Sequence, residues 1–113
     1  MNKDGLELLK KLSKSGNYKT LFALKDGPKR WSDLLKIVDQ STLSLSIREL
    51  SNLGLIQINL VFDTPTGSKA YQLSPLGKKV VQLLEQIEKE FEEYHSHLPK
   101  EPDKFINELL EDK

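Results

Sequence analysis

The apolar residues of this 113-residue chain change their spacing twice, and those changes restrict its architecture more than any other feature. Up to Gly54 they recur at helical intervals. From Leu55 to Leu73 they alternate, and after Pro75 the helical interval returns. A period of 3.6 turns one stripe of a helix toward a core, whereas a period of two turns one face of a strand there. The expected fold is therefore mainly α with a small β-hairpin.

Leu6, Leu8, Leu9 and Leu12, set among Lys10, Lys11 and Lys14, predict a first amphipathic helix that breaks at Ser13 to Gly16. Tyr18, Leu21, Phe22 and Leu24 predict a second, closed by the turn signal Lys25-Asp-Gly-Pro28. Ser32, followed by Asp33 to Val38, predicts a capped helix of two turns with Leu34, Leu35 and Val38 facing inward. Asp39 and Gln40 leave only a short connection before a helix over 41–53, which Ser41 would cap and Gly54 would end. Two helices joined this closely have helix-turn-helix spacing.

On the helix over 41–53, Leu43, Ile47 and Leu50 share one stripe with Leu53 at its edge. The opposite side carries Ser41, Ser44, Leu45, Arg48 and Ser51. Solvated helix faces usually carry Glu and Lys, which are better helix formers than Ser. Short hydroxyls with one Arg and one apolar side chain suit a helix lying close to another surface, such as a DNA major groove. The alternative is a plain surface helix that happens to be rich in Ser.

Alternation around Ile56, Ile58 and Leu60, the turn cluster Asp63-Thr-Pro-Thr-Gly-Ser68 and renewed alternation over 69–73 predict the hairpin. Its tip offers Thr64, Thr66, Ser68 and Lys69, but Asp63 opposes the single cation, so it is a weak anion-binding tip. Ser74 is placed to cap the last long helix, with Pro75 at the first helical position. Val80, Leu84, Ile87, Phe91, Tyr94 and Leu98 follow at intervals of four and three, a heptad seam ended by Pro99. Val81 and Leu83 widen the stripe only near its start. The simplest partner for such a seam is the same helix of a second subunit, giving a homodimer. The alternative is packing against the chain's own first helix or last segment. A short final helix over 103–111 gathers Phe105, Ile106, Leu109 and Leu110 on one face.

Net charge is zero, yet residues 1–84 hold 13 Lys and Arg against 7 Asp and Glu, whereas residues 85–113 hold 4 against 10. A basic body followed by an acidic tail implies that only the body approaches a polyanion. The chain has no cysteine, which rules out disulfides, thiolate metal sites and thiol redox sensing and fits a cytoplasmic protein. No apolar run is long enough for a membrane span or a signal peptide. No catalytic constellation, cofactor loop or metal set is expected. His95 and His97 fall on different helix faces, a poor spacing for one metal. Trp31 and Tyr71 sit in apolar contexts and are expected to pack rather than to stack on bases.

Between Gly16 and Gly77 four segments together resemble the HxlR-type winged-helix transcription regulators. They are Gly16-Asn-Tyr-Lys19, Asp26-Gly-Pro-Lys-Arg-Trp-Ser-Asp-Leu34, Ile47-Arg-Glu-Leu-Ser-Asn-Leu-Gly-Leu-Ile56 and Tyr71-Gln-Leu-Ser-Pro-Leu-Gly77. Looser similarity extends to MarR-, PadR- and ArsR-like regulators. The run Tyr71 to Gly77 is the most specific of the four. The resemblance implies a winged helix-turn-helix domain over 1–77 and a C-terminal helical dimerisation segment over 78–113. It further implies double-stranded DNA as partner, with the helix over 41–53 in the major groove and the hairpin over 55–73 as a wing.

Carried onto this sequence, Ser41, Thr42, Ser44, Leu45 and Arg48 become groove-facing candidates. Arg48 suits guanine O6 and N7, or alternatively pairs with Asn52 or an acid, and Leu45 suits a thymine methyl. Lys29, Arg30, Ser32 and Lys69 become phosphate-contact candidates. Two departures stand out. Members of this family commonly carry a cysteine near the N-terminus, absent here, and the wing is poorer in Arg than usual. Two readings result: a sequence-specific DNA-binding regulator, or a winged helix used as a protein-interaction module.

Overall fold

A computed structural model describes residues 3–62 and 67–97. The first two helices, α1 (Lys3–Leu12) and α2 (Ser15–Ala23), are separated by a corner rather than a loop. Within it the Lys11 carbonyl, near the end of α1, accepts both the Asn17 side-chain N–H at 2.9 Å and the Lys14 backbone N–H at 3.2 Å. Asn17 is itself buried, so a polar side chain here closes a helix end from inside the core. Helix α4 (Gln40–Asn52) crosses α2 closely. A Cβ at Gly16 would collide with the Thr42 methyl and crowd the Ser46 hydroxyl, so the crossing requires glycine at that point. The Gly16-Asn17 pair of the first recognised segment thus has two separate structural tasks.

The segment expected as a two-turn helix is shorter. Helix α3 spans only Trp31–Leu34, and looser turns carry the chain to Val38. Its start is fixed not by Ser32 but by Asp33, whose carboxylate accepts the Arg30 backbone N–H at 3.2 Å. Leu34 is fully buried as expected, but Leu35 is exposed because the turn no longer points it inward. The cap of α4 is likewise corrected. Asp39, in an extended conformation, accepts the Thr42 N–H at 2.8 Å, and Ser41 already lies within the helix.

Three strands form one antiparallel sheet, ordered β1 (Lys29–Arg30), β3 (Ser68–Leu73), β2 (Ile56–Val61). The hairpin matches the alternation, but β1 went unread because two residues carry no period. Lys29 pairs with Tyr71 and Arg30 with Ala70, which ties the helix-turn-helix to the wing. Trp31 then rests near Tyr71, ring centroids 6.0 Å apart, so both aromatics pack as expected. The alternating row on β2 is covered only at its base. Ile56 is buried, whereas Ile58, Leu60 and Phe62 are exposed in turn.

The core gathers Leu21, Leu24, Leu34, Leu43, Leu50 and Leu55, all essentially inaccessible. Helix α5 (Pro75–Ser96) begins against this core. Ser74 caps it, its hydroxyl accepting the Gly77 N–H at 2.9 Å while donating to the Gly54 carbonyl at 2.6 Å. The Ser74 N–H donates to the Leu55 carbonyl at 3.0 Å. Gly77 faces that same carbonyl so closely that a Cβ would collide with its oxygen. The Ser74-Pro-Leu-Gly77 signature is therefore a docking joint between α5 and the α4–β2 junction. The chain divides into two compact units at Gln82 and Leu83. Among the described residues the second unit is the distal part of α5, where Leu83, Ile87, Phe91 and Tyr94 are all exposed. Leu98 and the final helix expected over 103–111 lie outside the described residues.

Candidate nucleic-acid interface

Helix α4 sorts its side chains by depth as its period requires. Leu43, Ile47 and Leu50 are buried, and Ser41, Ser44, Leu45 and Arg48 are exposed in a continuous outward stripe. Thr42 is half-buried at the stripe's edge, its backbone N–H held by Asp39. Ser51 does not belong to the stripe. Its hydroxyl oxygen is buried without a hydrogen-bond partner among the described residues. Arg48 makes no hydrogen bond or ion pair among them, so neither Asn52 nor an acid occupies its guanidinium. A five-donor fork held out on a rigid helix is a ready partner for paired acceptors.

What fixes α4 in place includes a contact the sequence reading missed. Glu49 is buried, and its carboxylate meets Lys11 at 2.7 Å and Lys14 at 2.9 and 3.1 Å. The Lys11 hydrogen bond, then the Lys14 hydrogen bond, hold the Glu49 carboxyl below the usual carboxylate range against the opposing effect of burial. In return Glu49 holds the Lys11 ammonium above its ordinary value. Two partly exposed cations of the basic body are thus committed to a buried carboxylate, clamping the α1–α2 corner to α4. The only sequence signal was position: Glu49 falls beside the Leu43–Ile47–Leu50 stripe rather than opposite it. At the other end of the helix, hydrogen bonds from Thr42 hold Asp39 below the usual carboxylate range, as expected of a working cap.

The phosphate-contact candidates lie on the sheet and α3 rather than on α4. Lys29 and Lys69 share a sheet face, since Lys29 pairs with Tyr71 and Lys69 stands two residues before it. Arg30 pairs with Ala70 and belongs to the other face. Lys29 and Arg30 are half-exposed, while Ser32 and Lys69 are exposed. A further cation, Lys19, was not among the candidates. It borders an open groove of about 440 Å³ shared by Ser15, Asp39 and Thr42, where the start of α2 meets the first turn of α4.

These features are a helix-turn-helix, its outward polar stripe and an appended wing. The sequence pattern of the HxlR-like helix-turn-helix family matches residues 12–99, well over half of the chain. The chain belongs to that family. Comparison with curated proteins gives no significant match. Among solved structures, a PadR-like transcription factor from Bacteroides fragilis is 26% identical. That match covers 86% of this chain and 100% of the other, with a TM-score of 0.64. The reduced form of the transcriptional regulator YodB from B. subtilis shares the fold at 20% identity. It covers 88% of this chain and 96% of YodB, with a TM-score of 0.68. These relatives are transcription regulators, not enzymes. YodB has also been solved after diamide treatment, whereas the present family member has no cysteine for a thiol oxidant to reach. No helix among the described residues is long and apolar enough to cross a membrane.

Proposed function

We propose that this HxlR-like protein is a cytoplasmic, sequence-specific DNA-binding transcription regulator that acts as a homodimer. The observation that carries the reading is the outward stripe of α4, in which Arg48, without a partner among the described residues, stands among Ser41, Ser44 and Leu45 on a helix clamped at both ends. In this reading α4 lies in the major groove, with Arg48 on guanine and Leu45 against a thymine methyl. Lys29, Arg30, Ser32 and Lys69, joined by Lys19, set register on the flanking phosphates. The DNA-binding domain is residues 1–77, and the C-terminal segment 78–113 joins two copies through Val80, Leu84, Ile87, Phe91, Tyr94 and Leu98. The exposure of Ile87, Phe91 and Tyr94, each more than 60% accessible, supports that assignment, because apolar side chains in a heptad seam are stabilised by a partner helix.

One observation favours a second reading. The wing presents Ile58, Leu60 and Phe62 with Lys69 as its only described cation, a surface suited to protein contact as well as to DNA. Selection from random duplexes, followed by titration of the enriched site at two salt concentrations with a scrambled duplex as control, separates the two. An enriched palindrome with half-sites about one turn apart supports the dimeric regulator. Weak binding that ignores sequence and disappears with salt reflects charge alone and favours the protein-interaction module.

A further inference from the structure

Capping by Asp39 starts α4 earlier than the spacing of the sequence indicated, and Gln40, expected in a connection, becomes the first residue of the helix. The turn that carries it is fixed. Asp39 accepts the Thr42 N–H on its carboxylate and the Leu43 N–H on its carbonyl, each at 2.8 Å. Steps of four from Gln40 reach Ser44 and Arg48, and residues four apart stand in one row along a helix. All three are exposed. The Gln40 and Arg48 side chains make no hydrogen bond or ion pair among the described residues. Two long, uncommitted polar side chains thus flank one short hydroxyl. We infer that Gln40 is a second base-reading residue, which selects an adenine about two base pairs from the guanine met by Arg48.

This role for Gln40 rests on the placement of α4 in the major groove and names a further base for it. Chemistry selects which base. A Gln side chain ends in a planar amide with one acceptor and two donors. Adenine alone presents a donor and an acceptor side by side on its major-groove edge, the N6 amino group and N7, so the amide meets it with two parallel hydrogen bonds. Spacing selects the position. Side chains three or four residues apart on a recognition helix meet successive base pairs, so Gln40, Ser44 and Arg48 span about three. Gln40 also heads the helix, and the N-terminal residues of a recognition helix are those that contact base edges. Ser44, in the middle of the row, is too short to hold the two longer side chains away. Because the first turn is already bonded to Asp39, binding has only the Gln40 side chain to order there.

The test combines selection from random duplexes with competition titration against single-base variants of the enriched site. It is run on the parent chain, Arg48→Ala, Gln40→Ala and Gln40→Glu. The parent should prefer an adenine about two base pairs from the guanine position that Arg48→Ala relaxes. Gln40→Ala should reduce discrimination at that adenine by about tenfold and leave the guanine preference intact. Gln40→Glu should exchange adenine for cytosine, because a carboxylate accepts from cytosine N4. A merely structural role for Gln40 would not move the preference at one position. Gln40→Ala that changes no position, or that weakens binding to all duplexes equally, overturns the inference. Relaxation by Arg48→Ala in that same experiment leaves the groove reading standing. A parent chain that enriches no site overturns both. If Gln40→Glu binds too weakly to titrate, Gln40→Ala decides alone.

Discussion

Gly77→Ala tests whether the Ser74–Gly77 signature is a docking joint. The added methyl would strike the Leu55 carbonyl oxygen, which is backbone and cannot rotate away. That oxygen also accepts the Ser74 N–H, and the Ser74 hydroxyl grips Gly54, so withdrawing the start of α5 loosens both bonds. Overpacking of this kind costs about 1–3 kcal/mol. The two loosened hydrogen bonds add about 1 kcal/mol each. Alanine's better helix propensity returns at most about 1 kcal/mol. The net expectation is a loss of about 2–4 kcal/mol, or a fall in Tm of roughly 10 °C or more for a domain of this size. Urea and thermal unfolding followed by circular dichroism measure it. Gly54→Asn is the control. That position needs a positive φ of 78° but has open space where a side chain would go, and Asn tolerates the conformation. Its loss should be distinctly smaller. A Gly77→Ala protein as stable as the parent, or a Gly54→Asn protein more damaged than Gly77→Ala, would refute the reasoning.

The other expectations concern recognition, assembly and acid stability. Arg48→Ala should cost about 1–3 kcal/mol of specific DNA binding and relax one operator position, read by competition titration against single-base variants. Unchanged preference would remove Arg48 from the groove. Ile87→Asp should weaken self-association by more than about tenfold in sedimentation equilibrium, since an aspartate in a heptad seam must be desolvated. A dimer of unchanged affinity would place the interface elsewhere. Glu49→Gln should lower the urea midpoint at neutral pH. Because the folded-state carboxyl lies below its unfolded value, its stabilisation is present above the unfolded value of about 4.3 and is lost as pH falls through the folded one. The difference between parent and variant should therefore shrink on acidification. A difference that stays constant across that range would mean the Lys11–Glu49–Lys14 clamp contributes nothing through charge.

The sequence alone determined the order of the helices and of the two hairpin strands, because period is local: a stripe every 3.6 residues or an alternating face is written in neighbouring letters. It also determined the outward stripe of α4 and the Ser74 cap, since both follow from spacing along one helix. Only the tertiary structure decided which partners meet at a distance. Nothing in the local spacing marks Lys11, Lys14 or Glu49 as partners, and they meet only where the α1–α2 corner folds onto α4. Asp39 displaced Ser41 as the cap because the chain enters α4 extended two residues earlier than propensity indicated. Strand β1 exists only because β3 offers it a ladder, and β2 keeps the alternation of a half-buried strand while leaving Ile58 and Leu60 uncovered. The glycines make the same point. Gly16 and Gly77 are small because a second backbone or side chain passes there, and no local pattern records what lies across a contact.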